Sequence, residues 1–231
     1  IGMFPNFKFV LDSARGDYFM WASHDDLWEK DFLKVCVENI KNKKVDVATT
    51  VVADIDSYGR NLRELTELTK FSGKRSIKQV ARYVLQPEIL GKCNLMYSVF
   101  RTSVIKKVWE IYPQRKEWGS DYHFSLTIIS HFSVYIDKRI LFRKRLGGFS
   151  SPDSTKNDDP DTVRRVTIKN PKNHMFPFGR FRRYFGGHMG ALKGTPYRPL
   201  VALLLLVRLP RSFFVYLKER NYKKFLKYLT H

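Results

Sequence analysis

The chain has 231 residues, 43% of them hydrophobic and 15% aromatic, which is enough apolar material for a sizeable core. Its two cysteines, Cys36 and Cys93, lie far apart without metal-ligand spacing, which argues against a disulfide framework and reads as two small core residues in a reducing compartment. A net charge of +20 requires an anionic partner, whether nucleic acid, an anionic membrane surface or a polyphosphate substrate.

Asn6 to Ala14 reads as the end of a helix stopped by Gly16. Tyr18 to Ala22 is a short aromatic and apolar run that suits a buried strand. Lys30 to Lys41 is an amphipathic helix with Phe32, Cys36 and Ile40 on one stripe. Val45 to Ile55 is strongly β-branched and predicts a strand, followed by a turn over residues 56–59. Ser76 to Leu85 is helical by pattern, Asn94 to Phe100 extended, and Thr102 to Trp109 helical. Asp121 to Phe132 predicts a helix opened by a capping acid, and Val134 to Arg145 a long strand. Ser150 to Asp161 is dense in Ser, Asp, Asn and Pro, which places a domain boundary there, and no internal repeat is visible. The alternation of helices and strands is that of an α/β fold.

Asp25 and Asp26 follow the first strand where the backbone leaves the sheet. Open α/β sheets place ligand sites beyond the carboxyl ends of their strands. Mg²⁺ takes oxygen ligands there, commonly one or two carboxylates plus substrate phosphates. Asp26 also reads as the cap of a helix beginning near Glu29, and the two readings are compatible.

The run Gly16-Asp-Tyr-Phe-Met-Trp-Ala-Ser-His-Asp-Asp-Leu-Trp28 resembles the metal-binding segment of family 2 glycosyltransferases of the GT-A fold. The usual acidic cluster there has three members, whereas this chain has Ser23 and His24 ahead of Asp25 and Asp26. Residues 91–101 are similar to the family's "Y-x-x-[FM]-R" segment, residues 118–123 to the stretch with its catalytic acid, and residues 140–150 to its closing strand, with Leu146 replacing a common His. Nothing before Asn6 supplies the family's opening strand and base-recognising Asp, so the resemblance implies a fragment or a shortened nucleotide-binding half.

The implied fold is a partial GT-A (Rossmann-like) mixed sheet flanked by helices over residues 1–150, a linker over 151–175, and a basic amphipathic helical extension over 176–231. The implied activity is transfer of a sugar from a nucleotide-sugar donor to a glycan or lipid-linked acceptor, with inversion and with Mg²⁺ or Mn²⁺ held by Asp25 and Asp26. Asp121 would take the acceptor proton as base, and it reads equally as a helix cap. Arg145 would hold the donor's diphosphate, and His24, Trp28, Trp118 and Arg101 would line the substrate. For the tryptophans the plain alternative is core packing, and for Arg101, Arg143 and Arg145 a solvated strand face. His24-Asp25 also matches half of a metal-dependent phosphohydrolase pair, but no His precedes His24 and the others lack ligand spacing.

From Val163 onward there are 16 Lys and Arg against the single acid Glu219. The apolar run Pro199 to Val207 covers only about 13 Å as helix, against about 30 Å of bilayer hydrocarbon. Extending it crosses Arg208 and Arg211, each costing about 2.5–3.5 kcal/mol near a bilayer centre. The tail should not span. Its aromatics interleave with basic residues, among them Phe178, Phe181, Tyr184, Phe185, Phe213 and Tyr228, which suits helices lying in the headgroup plane of an anionic membrane. The alternative is that Leu200 to Val207 is a core helix. The basic tail and the resemblance together imply a cytoplasmic chain at the inner face of the cell membrane, and the resemblance implies a bacterial one. The competing hypothesis is a non-catalytic basic module, but nucleic acid is disfavoured because no helix-turn-helix, zinc-finger or RNP-like segment appears.

Overall fold

A computed structural model describes residues 3–86, 90–112, 119–146 and 178–210 of the chain. The β-branched run forms β3 (Val47–Ile55), and all nine of its residues are buried, as a central strand demands. β6 (Val134–Arg145) lies parallel to it on one side, from Val47↔Val134 to Ile55↔Arg145, so the carboxyl ends of both strands reach the same edge of the sheet. The register shifts twice, between Thr50 and Val52, and β6 bulges over Lys138 and Arg139. On the other side β3 pairs antiparallel with β5 (Val99–Arg101) near its start and with β4 (Asn61–Glu64) near its end. β1 (Tyr18–Phe19) and β2 (Leu27–Trp28) complete a six-stranded mixed sheet at its two edges, paired with β5 and β6 respectively.

Helices cover the sheet: α1 (Met3–Ser13), α2 (Phe32–Asn42), α3 (Ile77–Leu85), α4 (Thr102–Ile111) and α5 (Ser120–His131). The α2 stripe is buried as its spacing predicts, through Phe32, Val35, Cys36 and Ile40. Ser76 caps α3 by accepting the Gln79 N–H. The mixed α/β sheet flanked by helices is therefore present.

Three elements differ from expectation. Only Tyr18 and Phe19 of the first predicted strand pair with a neighbour, because Trp21 turns down into a cluster with Phe7, Phe19, Phe100, Trp109 and Phe124 at centroid distances of 5.0–6.4 Å. Residues 92–97 form a 3₁₀ turn before β5, where an unbroken strand was predicted. Asp26 caps no helix: Asp31 precedes α2, and it does so without a side-chain bond.

In the extension, α6 (Phe178–Ala191) packs on α5, with Phe181, Tyr184, His188 and Ala191 buried at helical spacing. Phe181 and Tyr184 thus belong to the core and do not lie in a headgroup plane. A second helix, α7, runs over residues 198–210 and buries Val201 and Leu205 while leaving Leu203, Leu206 and Val207 exposed. Among the described residues no helix is long and apolar enough to cross a membrane. The proposed boundary at 150–161, together with Phe213, Tyr228 and the rest of the tail, lies outside the described residues.

Candidate active site

The shared edge of β3 and β6 carries the site. Arg145, the last residue of β6, donates its backbone N–H to Asp26 Oδ1 at 2.8 Å. Its guanidinium binds three main-chain carbonyls: Nε to Asp25 at 3.0 Å, and Nη1 to Asp56 at 2.8 Å and Ser57 at 2.6 Å. The side chain expected to grip a diphosphate is thus a latch between the Asp25–Asp26 loop and the turn after β3. Ser23, in the place of the family's third acid, donates its hydroxyl to Asp25 Oδ1.

The two carboxyl groups are tuned in opposite directions. The Ser23 hydroxyl holds Asp25 below the ordinary carboxylate value, with smaller help from His24 and Lys144. Burial raises Asp26 above it, against the pull of the Arg145 N–H.

Asp121 is the second residue of α5, with Gly119 at the cap, and its Oδ1 accepts the Tyr122 N–H at 2.9 Å. It is therefore not the helix cap. Burial raises its carboxyl, while Lys144 and bonds from the Tyr122 N–H and the Cys93 thiol act the other way. Cys93 is pushed up to about 12 by burial and then by Asp121, so it stays a protonated donor. It sits in the 3₁₀ turn, whose main chain is tied to α5 through Ser125 Oγ to the Cys93 carbonyl at 3.2 Å.

Lys144 stands among these groups, and sequence reasoning missed it. Its Nζ donates to Asn94 Oδ1 at 3.0 Å and lies 5.3 Å from the centroid of the Tyr97 ring. Burial works against the ammonium, but the negative groups that face it, the carboxylates of Asp54 and Asp121 among them, more than offset it, so its pKa is raised. Its charge also acts on Asp25 and Asp26. Asp54 already has a counter-ion in Arg63, at 2.6 Å. In sequence, Arg143-Lys144-Arg145 reads as a solvated basic strand end, and only the 3₁₀ turn brings Asn94 and Tyr97 beneath it.

The remaining expected residues are scattered. His24 is exposed beside Asp25. Trp28 is stacked on Phe142 with centroids 5.0 Å apart and planes 6° apart, so one ring face is already covered by packing. Arg101 pairs with Tyr18 and hydrogen-bonds the Asp46 carbonyl before the start of β3, about 26 Å along the strand from the site. The structure does not bring Arg101 to the carboxylates. Trp118 lies outside the described residues.

Among the described residues no group of three or more His, Cys, Asp or Glu side chains gathers as a metal site. The pair Asp25–Asp26 offers hard oxygen donors, and a carboxylate with one bonded oxygen keeps lone pairs for a cation. Two carboxylates with phosphate oxygens completing the shell is a fitting donor set for Mg²⁺ or Mn²⁺.

The model of glycosyl transferase family 2 matches residues 2–136. No curated protein matches the chain. Among solved structures, S. aureus TarS 1-349 is similar at 12% identity and a TM-score of 0.45, over 92% of this chain and 69% of the other. The same fragment in complex with UDP gives 13% identity and a TM-score of 0.42, over 91% and 69%.

Proposed function

We propose that this chain, which belongs to glycosyl transferase family 2, moves a sugar from a nucleotide-sugar donor to a hydroxyl of a glycan or lipid-linked acceptor in one displacement with inversion. That it is a glycosyltransferase follows from the family. The finer reading is supported by Asp25 and Asp26 being held at the carboxyl edge of the sheet by Arg145, with the Lys144 charge acting on both and on Asp121.

In this reading the acceptor oxygen bonds to the anomeric carbon as the bond to the diphosphate oxygen breaks, and the bonding pair leaves with the diphosphate. Asp121 takes the acceptor's proton, and a raised carboxyl is a better base at neutral pH than an ordinary one. Asp25 and Asp26 would hold Mg²⁺ or Mn²⁺, which when bound would neutralise leaving-group charge as a Lewis acid. Arg145 fixes both acids through its main chain and its latch. The setting is the cytoplasmic face of a bacterial membrane, in polysaccharide biosynthesis, with the exposed apolar residues of α7 and the basic tail against anionic lipid.

The test is release of nucleoside diphosphate from a panel of nucleotide sugars, with Mn²⁺ and a membrane-lipid acceptor extract. Asp121→Asn is expected to lower release by about 10²-fold or more. Unchanged release would leave the basic binding module as the better reading.

A further inference from the structure

We propose that the Lys144 ammonium is a built-in cation of the donor site, placed to face the diphosphate of the nucleotide sugar beside the Asp25–Asp26 pair. The inference rests on the donor site being where the proposed function puts it, and it adds a residue that the family resemblance did not identify.

The position is built rather than incidental. Asn94 Oδ1 holds one of the three ammonium N–H groups at 3.0 Å, and the Tyr97 ring lies under the charge at 5.3 Å. Both partners come from the 3₁₀ turn over Lys92–Tyr97, which also places Cys93 against Asp121. That turn follows Gly91 at φ +75°, where a Cβ would come within 2.3 Å of Leu65 Cδ1. A lysine fixed in this way does not swing into solvent, and its charge acts on Asp25, Asp26 and Asp121 alike.

Charge balance gives it a role. Arg63 neutralises Asp54 and Arg60 neutralises Asp56, which leaves Asp25, Asp26 and Asp121 as three negative charges against two positive ones, Lys144 and the Arg145 guanidinium that is committed to main-chain carbonyls. A divalent cation would leave that sum one charge positive, and the diphosphate then adds negative charge that grows as it departs. Arg145 is already bound to carbonyls, so without the ammonium the site has one positive charge fewer at the step that needs it most. The same ammonium repels a divalent cation bound to Asp25 and Asp26. Lys144 therefore favours the anion and opposes the metal, and these opposite signs distinguish a local charge from a general loss of structure.

The full chain is titrated calorimetrically with Mn²⁺ alone and with inorganic pyrophosphate alone, as wild type, Lys144→Met and Lys144→Arg. Lys144→Met should tighten Mn²⁺ binding and weaken pyrophosphate binding, each by about tenfold. Lys144→Arg, which keeps the charge, should hold both within about threefold. Pyrophosphate affinity that is unchanged in Lys144→Met overturns the proposal. So does a loss of both affinities, the result a misfolded variant would give, if Lys144→Arg leaves them both intact. Failure of the metal reading looks different: Asp26→Asn would leave Mn²⁺ affinity unchanged, while the pyrophosphate titration would still report on Lys144.

Discussion

Arg145 ties the Asp25–Asp26 loop to the turn after β3 by binding the carbonyls of Asp25, Asp56 and Ser57 through one guanidinium. A planar fork with several donors can do this and a lysine cannot. Arg145→Lys and Arg145→Met should therefore destabilise the chain similarly in urea, by about 2–3 kcal/mol, and both should accelerate amide exchange at residues 56–59. Rescue by Lys would show that charge alone matters at this position. Asp121 makes the opposite kind of prediction. Its carboxyl is raised in the folded chain, so its contribution to stability is present below the unfolded value of about 3.9 and is lost as pH rises through the folded value. At neutral pH the ionised form is a burden, one that the proposed role as base requires. Asp121→Asn should melt about 2–4 °C higher at pH 7 for each kcal/mol relieved, with the gain vanishing in acid, while sugar transfer is lost. Transfer by the wild type should fall on acidification at a higher pH than an ordinary aspartate would set. Asp25, Asp26 and Asp121 were named as candidates from the sequence because motif order points to them. Lys144 was not, since its role depends on a turn that no spacing rule places under β6.

At the scale of elements, sequence periodicity is most informative where apolar packing alone decides the environment. The β-branched run became β3, buried along its whole length, and the 3.6-residue stripe became α2, buried on one face. It is least informative where polarity and packing compete, as in α6. That helix carries Arg182 and Arg183 on an exposed side and reads as a surface helix, yet Tyr184 is fully buried against α5. Its carbonyl accepts from His123 Nε2 at 3.1 Å and from His188 Nδ1 at 2.9 Å, which fixes which nitrogen of each ring carries the proton in those bonds. His131 Nε2 similarly donates to the Ala191 carbonyl at 3.1 Å. Close approach is what Gly187 provides: a Cβ there would lie 2.0–2.4 Å from the His123 ring, which is buried and cannot retreat. Gly187→Ala thus sets two effects against each other. Helix propensity favours alanine by about 1 kcal/mol, and overpacking costs about 1–3 kcal/mol. The clash is with a fixed ring, so the net expectation is destabilisation, seen as a lower urea midpoint and earlier proteolysis within residues 178–210. A variant as stable as wild type would mean that α6 does not seat on α5 in solution.

For the molecule as a whole, the +20 net charge and the exposed side of α7 are the two features on which the proposed membrane contact rests. Leu203, Leu206 and Val207 are 59%, 53% and 64% exposed and share a helical face, while Val201 and Leu205 hold the helix to the core. Arg208 donates to the Val84 carbonyl, so the helix is also strapped to the end of α3. The core-helix and surface-helix readings of this stretch are therefore each half of the answer, because an alternation of buried and exposed apolar residues is invisible in a run of leucines. A docked helix with an apolar outer face, followed by a strongly basic sequence, suits shallow insertion into an anionic bilayer: each leucine buried adds about 1.5–3 kcal/mol, and each basic residue near the surface about 1 kcal/mol. The chain should co-sediment with vesicles rich in anionic lipid at 0.1 M salt and bind neutral vesicles at least about tenfold more weakly. Raising the salt to 0.5 M should weaken the anionic case, as screening shortens the reach of the charges. Leu203→Glu with Leu206→Glu should lower anionic-vesicle affinity by about tenfold or more with little loss of fold, since both side chains already face outward. Affinity that follows salt alone and ignores the two leucines would reduce the contact to adsorption of a basic protein. Tighter binding to single-stranded RNA than to vesicles would turn the basic surface toward nucleic acid instead.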